Sequence, residues 1–145
     1  MEKILELKMI PWGYEICFNN DCQLREKCLH YQAGLLMPSD RLSGPAVYPA
    51  AWKDGQCQRF REYKLVRKAW GFNKLYRNLP RHLKTEAREC VMSYFSGGCG
   101  PYYRYHHGEN KLSPSQQEDI MNIMSKFCST ESLSFDRYEW DYDFT

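Results

Sequence analysis

At 145 residues, with 43% apolar and 15% aromatic side chains, the chain has the length and packing material of one ordinary domain, which excludes a disordered polymer. The formal charge is only +2, yet it is unevenly placed. Residues 59–88 hold ten Lys or Arg against Glu62 and Glu86, and residues 109–145 hold eight acids against Lys111, Lys126 and Arg137, so a basic middle faces an acidic end.

No uncharged apolar run approaches the roughly 20 residues that span a bilayer. Residues 1–8 alternate charged and apolar side chains where an export signal needs a continuous apolar stretch. The expectation is a cytoplasmic protein without a membrane partner. Seven cysteines, an odd number in a reducing compartment, then point to thiols or metal ligands ahead of disulfides.

In chain order, residues 4–10 place Leu5, Leu7 and Met9 opposite Glu6 and Lys8, a period of two that predicts an opening strand. Pro11-Trp12-Gly13 ends it, and residues 14–18 predict a second short strand carrying Cys17. Asn19-Asn20-Asp21 is turn chemistry, with Asp21 as the cap of a helix over 22–32. Residues 35–56 are rich in Gly and Pro and end in Asp54-Gly55, which predicts a long irregular loop. Residues 63–72 fit either a strand or a helix, with the strand preferred, and 73–78 predict a single helical turn. Leu83, Ala87, Cys90, Val91 and Tyr94 recur by three and four within a helix over 80–95, with Asn78 as its cap.

Residues 99–107 predict another short helix ended by Gly108. Ser113-Pro114-Ser115-Gln116 has the form of a capping box with proline in the first turn, opening a helix over 114–127. The tail alternates Tyr138, Trp140, Tyr142 and Phe144 with Glu139, Asp141 and Asp143, which predicts a strand pairing with the basic segment 63–70. The fold expected is α+β in a single domain, with short strands near both termini and a helical C-terminal half. A cysteine-cluster subregion covers 1–60, and a basic, helical subregion with the acidic aromatic tail covers 61–145.

Cys17, Cys22, Cys28 and Cys57 follow the spacing C-x4-C-x5-C-x28-C. Four thiolates suit a closed tetrahedral zinc site, and the distant fourth ligand would pin the long loop. Zinc in a structural role is the expected cofactor. Small buried hydrophobes or free thiols are the second reading, and an iron–sulfur cluster, which also uses four cysteines and C-x4-C steps, the third. His30 is a possible replacement for one thiolate.

Residues 102–114 read Tyr-Tyr-Arg-Tyr-His-His-Gly-Glu-Asn-Lys-Leu-Ser-Pro and lead into the capped helix. This stretch resembles the third helix, turn and fourth helix of the repressor-type helix-turn-helix regulators of phage and bacteria, whose pattern is Ser-Arg-Tyr-Glu-x-Gly, a basic linker, Pro-Ser and an amphipathic helix. Residues 83–90 are similar to that family's second helix. His106 stands where the family has glutamate, and the linker to Ser113 is longer. The resemblance implies that Tyr102, Tyr103, Arg104 and His106 face DNA while Lys84, Arg88 and Lys111 contact phosphates; the competing reading of the same residues is an ordinary helical hairpin whose tyrosines pack in a core. The whole chain also resembles a small uncharacterised family of gut-bacterial proteins with an N-terminal cysteine cluster and a Tyr-Tyr-Arg-Tyr…Gly…Leu-Ser-Pro-x-Gln-Gln end.

No catalytic set is complete. Cys90 or Cys99 with His106 or His107 lacks an orienting carboxylate, and the Gly97–Gly100 run follows a helix where a phosphate loop follows a strand. The expectation is therefore no enzyme, no small-molecule substrate, and a metal-stapled nucleic-acid-binding protein, as in a regulator. The alternative is a non-catalytic protein-interaction module.

Overall fold

The computed structural model describes residues 3–144. They form a mixed α+β structure that divides into two compact units. One runs to Leu65 and includes the C-terminal residues from Tyr142; the other is Val66–Asp141. No helix among the described residues is long and apolar enough to cross a membrane.

In the first unit the expected opening strand is absent: Leu7–Met9 form a 3-10 turn. Leu5 is buried with Leu29 and Tyr142, while Leu7 is exposed. An alternating pattern needs a partner ladder to become a strand, and residues 4–10 have none. Residues 14–18 likewise make a single parallel bridge, Ile16 to Ala46, instead of a strand.

The helix expected over 22–32 is split. A 3-10 turn covers Arg25–Lys27, Cys28 is extended, and α1 spans Leu29–Leu35. The split follows from pairing with the segment around Glu62. Leu29 N–H donates to the Arg61 carbonyl at 2.7 Å and Tyr63 N–H to the Lys27 carbonyl at 2.7 Å, bonds that a continuous helix would forgo. Gly34 of α1 lies so close to residue 17 that an added Cβ would stand 2.6 Å from the Cys17 carbonyl oxygen. The long loop then closes in a hairpin the sequence reading missed, β1 (Trp52–Lys53) and β2 (Gln56–Cys57). Asp54 and Gly55 both take positive φ, 52° and 75°, as a two-residue hairpin turn demands.

In the second unit, β3 (Leu65–Trp70) pairs with β4 (Arg137–Tyr142), the pairing that alternation and charge predicted. Four helices lie between them: α2 (Asn73–Tyr76), α3 (Arg81–Tyr94), α4 (Cys99–His107) and α5 (Pro114–Met124). The box at Ser113 is formed. Gln116 N–H donates to Ser113 Oγ at 3.3 Å and Ser113 N–H to Gln116 Oε1 at 2.9 Å. Asn78 does not cap α3, whose N-cap is Pro80. Asp136 serves α2 from a distance, accepting the Asn73 and Lys74 amides at 3.1 and 2.8 Å. Phe72, Leu75, Val91, Leu112, Ile120, Met124 and Phe135 form the core.

Candidate metal centre and candidate nucleic-acid interface

Local structure in the first unit brings the four cysteines to one place. Cys17 is held by its amide on the His30 carbonyl at 3.0 Å. Cys22 and Cys28 flank the 3-10 turn and are buried, and the β1–β2 hairpin delivers Cys57. All four line a single cavity of about 540 Å³, together with His30, Arg25 and the rings of Trp52 and Phe60. The Cys17 thiol is pushed up by burial. A backbone hydrogen bond at Asn19 opposes this, and Cys28, Cys22 and Cys57 raise it further. A cation bound beside Cys17 would act in the opposite sense and favour its thiolate. Among the described residues, however, no three His, Cys, Asp or Glu stand close enough to hold one ion.

His30 is buried, its ring stacked on Tyr14 at 4.8 Å. Its Nδ1 lies 2.6 Å from the Glu15 carbonyl. A carbonyl only accepts, so Nδ1 is the donor in this contact. That is the arrangement by which a second contact orients a ligating histidine.

In the second unit the seven expected nucleic-acid contacts separate. Tyr102 is 2% exposed, with its hydroxyl 3.0 Å from that of Tyr76, and burial pushes its proton affinity up. It is a core residue and not a DNA-facing one. His106 is half-buried, stacked on Phe72 with ring centroids 5.7 Å apart. Lys111 is engaged within the unit, its Nζ 2.6 Å from Glu139 Oε2 and 4.9 Å from the Trp70 ring centroid. Tyr102 and Tyr105 lie on the side of α4 that packs while Tyr103 is exposed, and spacing alone did not reveal which side that was. The DNA-facing helix implied by the helix-turn-helix resemblance is therefore not assembled from these residues.

Arg88, Tyr103 and Arg104 are exposed and Lys84 is half-buried. Arg81 joins them: Arg81, Lys84 and Arg88 stand at i, i+3 and i+7 of α3, one stripe of the helix surface. Sequence reading counted Arg81 only within the basic stretch, although its spacing from Lys84 and Arg88 was the available signal. Lys74, Arg77 and Arg104 add exposed charge. Among the described residues, none of these six cations has a carboxylate within ion-pair distance. Arg88 lies over the Tyr76 ring at 5.7 Å, and Tyr103 stacks on His107 at 6.0 Å.

Fold and sites define a small α+β protein with a thiol-lined cavity in one unit and a cationic helix in the other. Over residues 1–144 the chain matches a family of unknown function (DUF6078), and it belongs to that family. No curated protein and no solved structure matches the chain.

Proposed function

We propose that the chain is a small cytoplasmic nucleic-acid-binding protein, contacting phosphates through α3 and stapled in its first unit by a metal centre on Cys17, Cys22, Cys28 and Cys57. The observation that carries the reading is the stripe Arg81, Lys84 and Arg88, flanked by Lys74, Arg77 and Arg104, none of them neutralised by a carboxylate among the described residues. Uncompensated cations on one helix attract a polyanion, whose counterions are released on binding. The exposed Tyr103 offers a ring on which an unpaired base can stack. With four thiolates available, a metal would have a full set of protein ligands, so its role is structural.

The test is fluorescence anisotropy with random-sequence duplex and single-stranded DNA across a salt series. The expected result is an affinity that falls steeply with salt, and a log–log slope smaller by about 2 in an Arg81→Ala, Arg88→Ala double variant. No binding at low salt overturns the reading.

A second reading, the protein-interaction module, is favoured by one feature of the first unit. A groove of about 410 Å³ is lined by Trp12, Phe18 and Leu42, of which Trp12 is 97% exposed. Arg41 lines it as well, its Nη1 donating to the Met37 sulfur at 3.4 Å, and it has no carboxylate partner among the described residues. An apolar segment of a partner chain carrying a carboxylate fits that chemistry. Such binding keeps most of its strength as salt rises, where phosphate binding loses it.

A further inference from the structure

We propose that the thiol-lined cavity holds an iron–sulfur cluster and not a single zinc ion. The inference rests on the metal-centre part of the reading above and names its occupant.

Size decides between the two. In a zinc–thiolate site every sulfur lies about 2.3 Å from the ion, which sets neighbouring sulfurs only about 3.8 Å apart, and the ligands close on a point. Here Cys17, Cys22, Cys28 and Cys57 line one cavity of about 540 Å³, yet among the described residues no three His, Cys, Asp or Glu are placed to share one ion. A cluster inserts two or four irons with their bridging sulfides between the thiolates. Its four cysteines each hold a different iron or share irons in pairs, so they need not close on a point, and lining one cavity is the arrangement such a cluster requires.

Two further features agree. The C-x4-C step from Cys17 to Cys22 is one that iron–sulfur proteins use. A cluster with four thiolates is also anionic and is tuned by hydrogen-bond donors and by exclusion of water. Arg25 lines the cavity, is anchored by Nη1 on the Cys22 carbonyl at 3.2 Å, and has no carboxylate partner among the described residues. Trp52 and Phe60 supply apolar wall on the hairpin side.

The full chain is purified without oxygen and loaded in parallel with ferrous iron plus sulfide, or with zinc alone. Iron, zinc and acid-labile sulfide are then counted per chain and the visible spectrum recorded. The expected result is about two to four irons with matching sulfide and a visible thiolate–iron band. Cys57→Ser should lose at least half of the bound iron, while Cys99→Ser, exposed and in the other unit, keeps it. One tightly bound zinc, with no iron or sulfide retained, overturns the cluster and leaves the thiolate metal centre standing. Failure to retain either metal, with all four thiols equally reactive to a maleimide before and after loading, overturns both. The wild-type counts stand by themselves if Cys57→Ser does not fold.

Discussion

The backbone N–H of Phe72 donates to Nδ1 of His106 across 3.1 Å. That bond requires Nδ1 to be unprotonated, so the imidazole acts here as a neutral acceptor that finishes the turn leading into α2. Burial pulls its proton affinity below the ordinary histidine value. Charge on His107 and Arg88 acts in the same direction, and Asp136 opposes it. As pH falls below about 6.5 the unfolded chain takes up the proton first. The stability His106 contributes is therefore complete above that pH and lost below it. Urea titrations at pH 7.5 and 5.5 should show a lower unfolding free energy at pH 5.5. In His106→Asn, whose side-chain oxygen can still accept, the drop should be smaller, and an unchanged drop would assign the acid sensitivity elsewhere.

Gly108 ends α4 with φ +88°, and an added Cβ would stand 2.7 Å from the Trp70 indole. Both the left-handed backbone and the ring exclude a side chain. Gly108→Ala should cost roughly 2–4 kcal/mol, the sum of backbone strain and overpacking. Gly13 has a similar φ, +83°, but open space around it, so Gly13→Ala isolates the backbone part at about 1 kcal/mol. Thermal or urea denaturation of the two variants measures the difference.

What was legible in the sequence was local. The Ser113 box, the proline at 114 and the glycine at 108 set α5 and the end of α4 through contacts within one turn. The β4 strand announced itself by alternation, whereas β3 fitted a helix as well as a strand and was picked out by its charge opposite β4. Residues 4–10 carried a strand pattern with no ladder to join, and the split at Cys28 came from amides reaching Arg61 and Lys27, more than thirty residues apart in sequence. At the sites the limits are similar. Spacing grouped the four cysteines but said nothing about how far apart they stand. In α4 it listed Tyr102, Tyr103 and His106 together without showing that Tyr102 turns inward to Tyr76.

Lys111 was expected on phosphate, yet its Nζ is 2.6 Å from Glu139 Oε2 and faces the Trp70 ring. A charge already paired releases no counterion on binding. Lys111→Met should leave the salt slope of nucleic-acid binding unchanged, whereas Arg88→Ala lowers it by about 1. Lys111→Met should also destabilise the fold by about 1 kcal/mol, the scale of one partly exposed pair with a cation–π contact. A reduced slope for Lys111→Met would return that lysine to the interface.

The hydroxyl of Tyr14 is buried without a hydrogen-bond partner among the described residues. Its ring is stacked on His30 at 4.8 Å and meets Phe144 edge-on at 5.1 Å. The aromatic body is what packs, and the oxygen only loses its hydration. Tyr14→Phe should therefore leave stability unchanged or raise it by about 1 kcal/mol at pH 7. Burial foremost, with Arg61 opposing and Cys28, Asp143 and Glu15 adding to it, pushes the hydroxyl up to about 12. Above pH 10 the unfolded chain loses the proton before the folded one. The stability tied to that proton is thus present below pH 10 and lost as pH rises through about 12. Tyr94, donating to Asp119 Oδ2 at 2.8 Å and also raised to about 12, by burial and then by that carboxylate, adds to the same loss. Urea midpoints at pH 8 and 11 should fall less in Tyr14→Phe than in the wild type. A loss of more than about 1 kcal/mol in Tyr14→Phe at pH 7 would mean that the hydroxyl has a partner, such as a buried water bridging it to the chain.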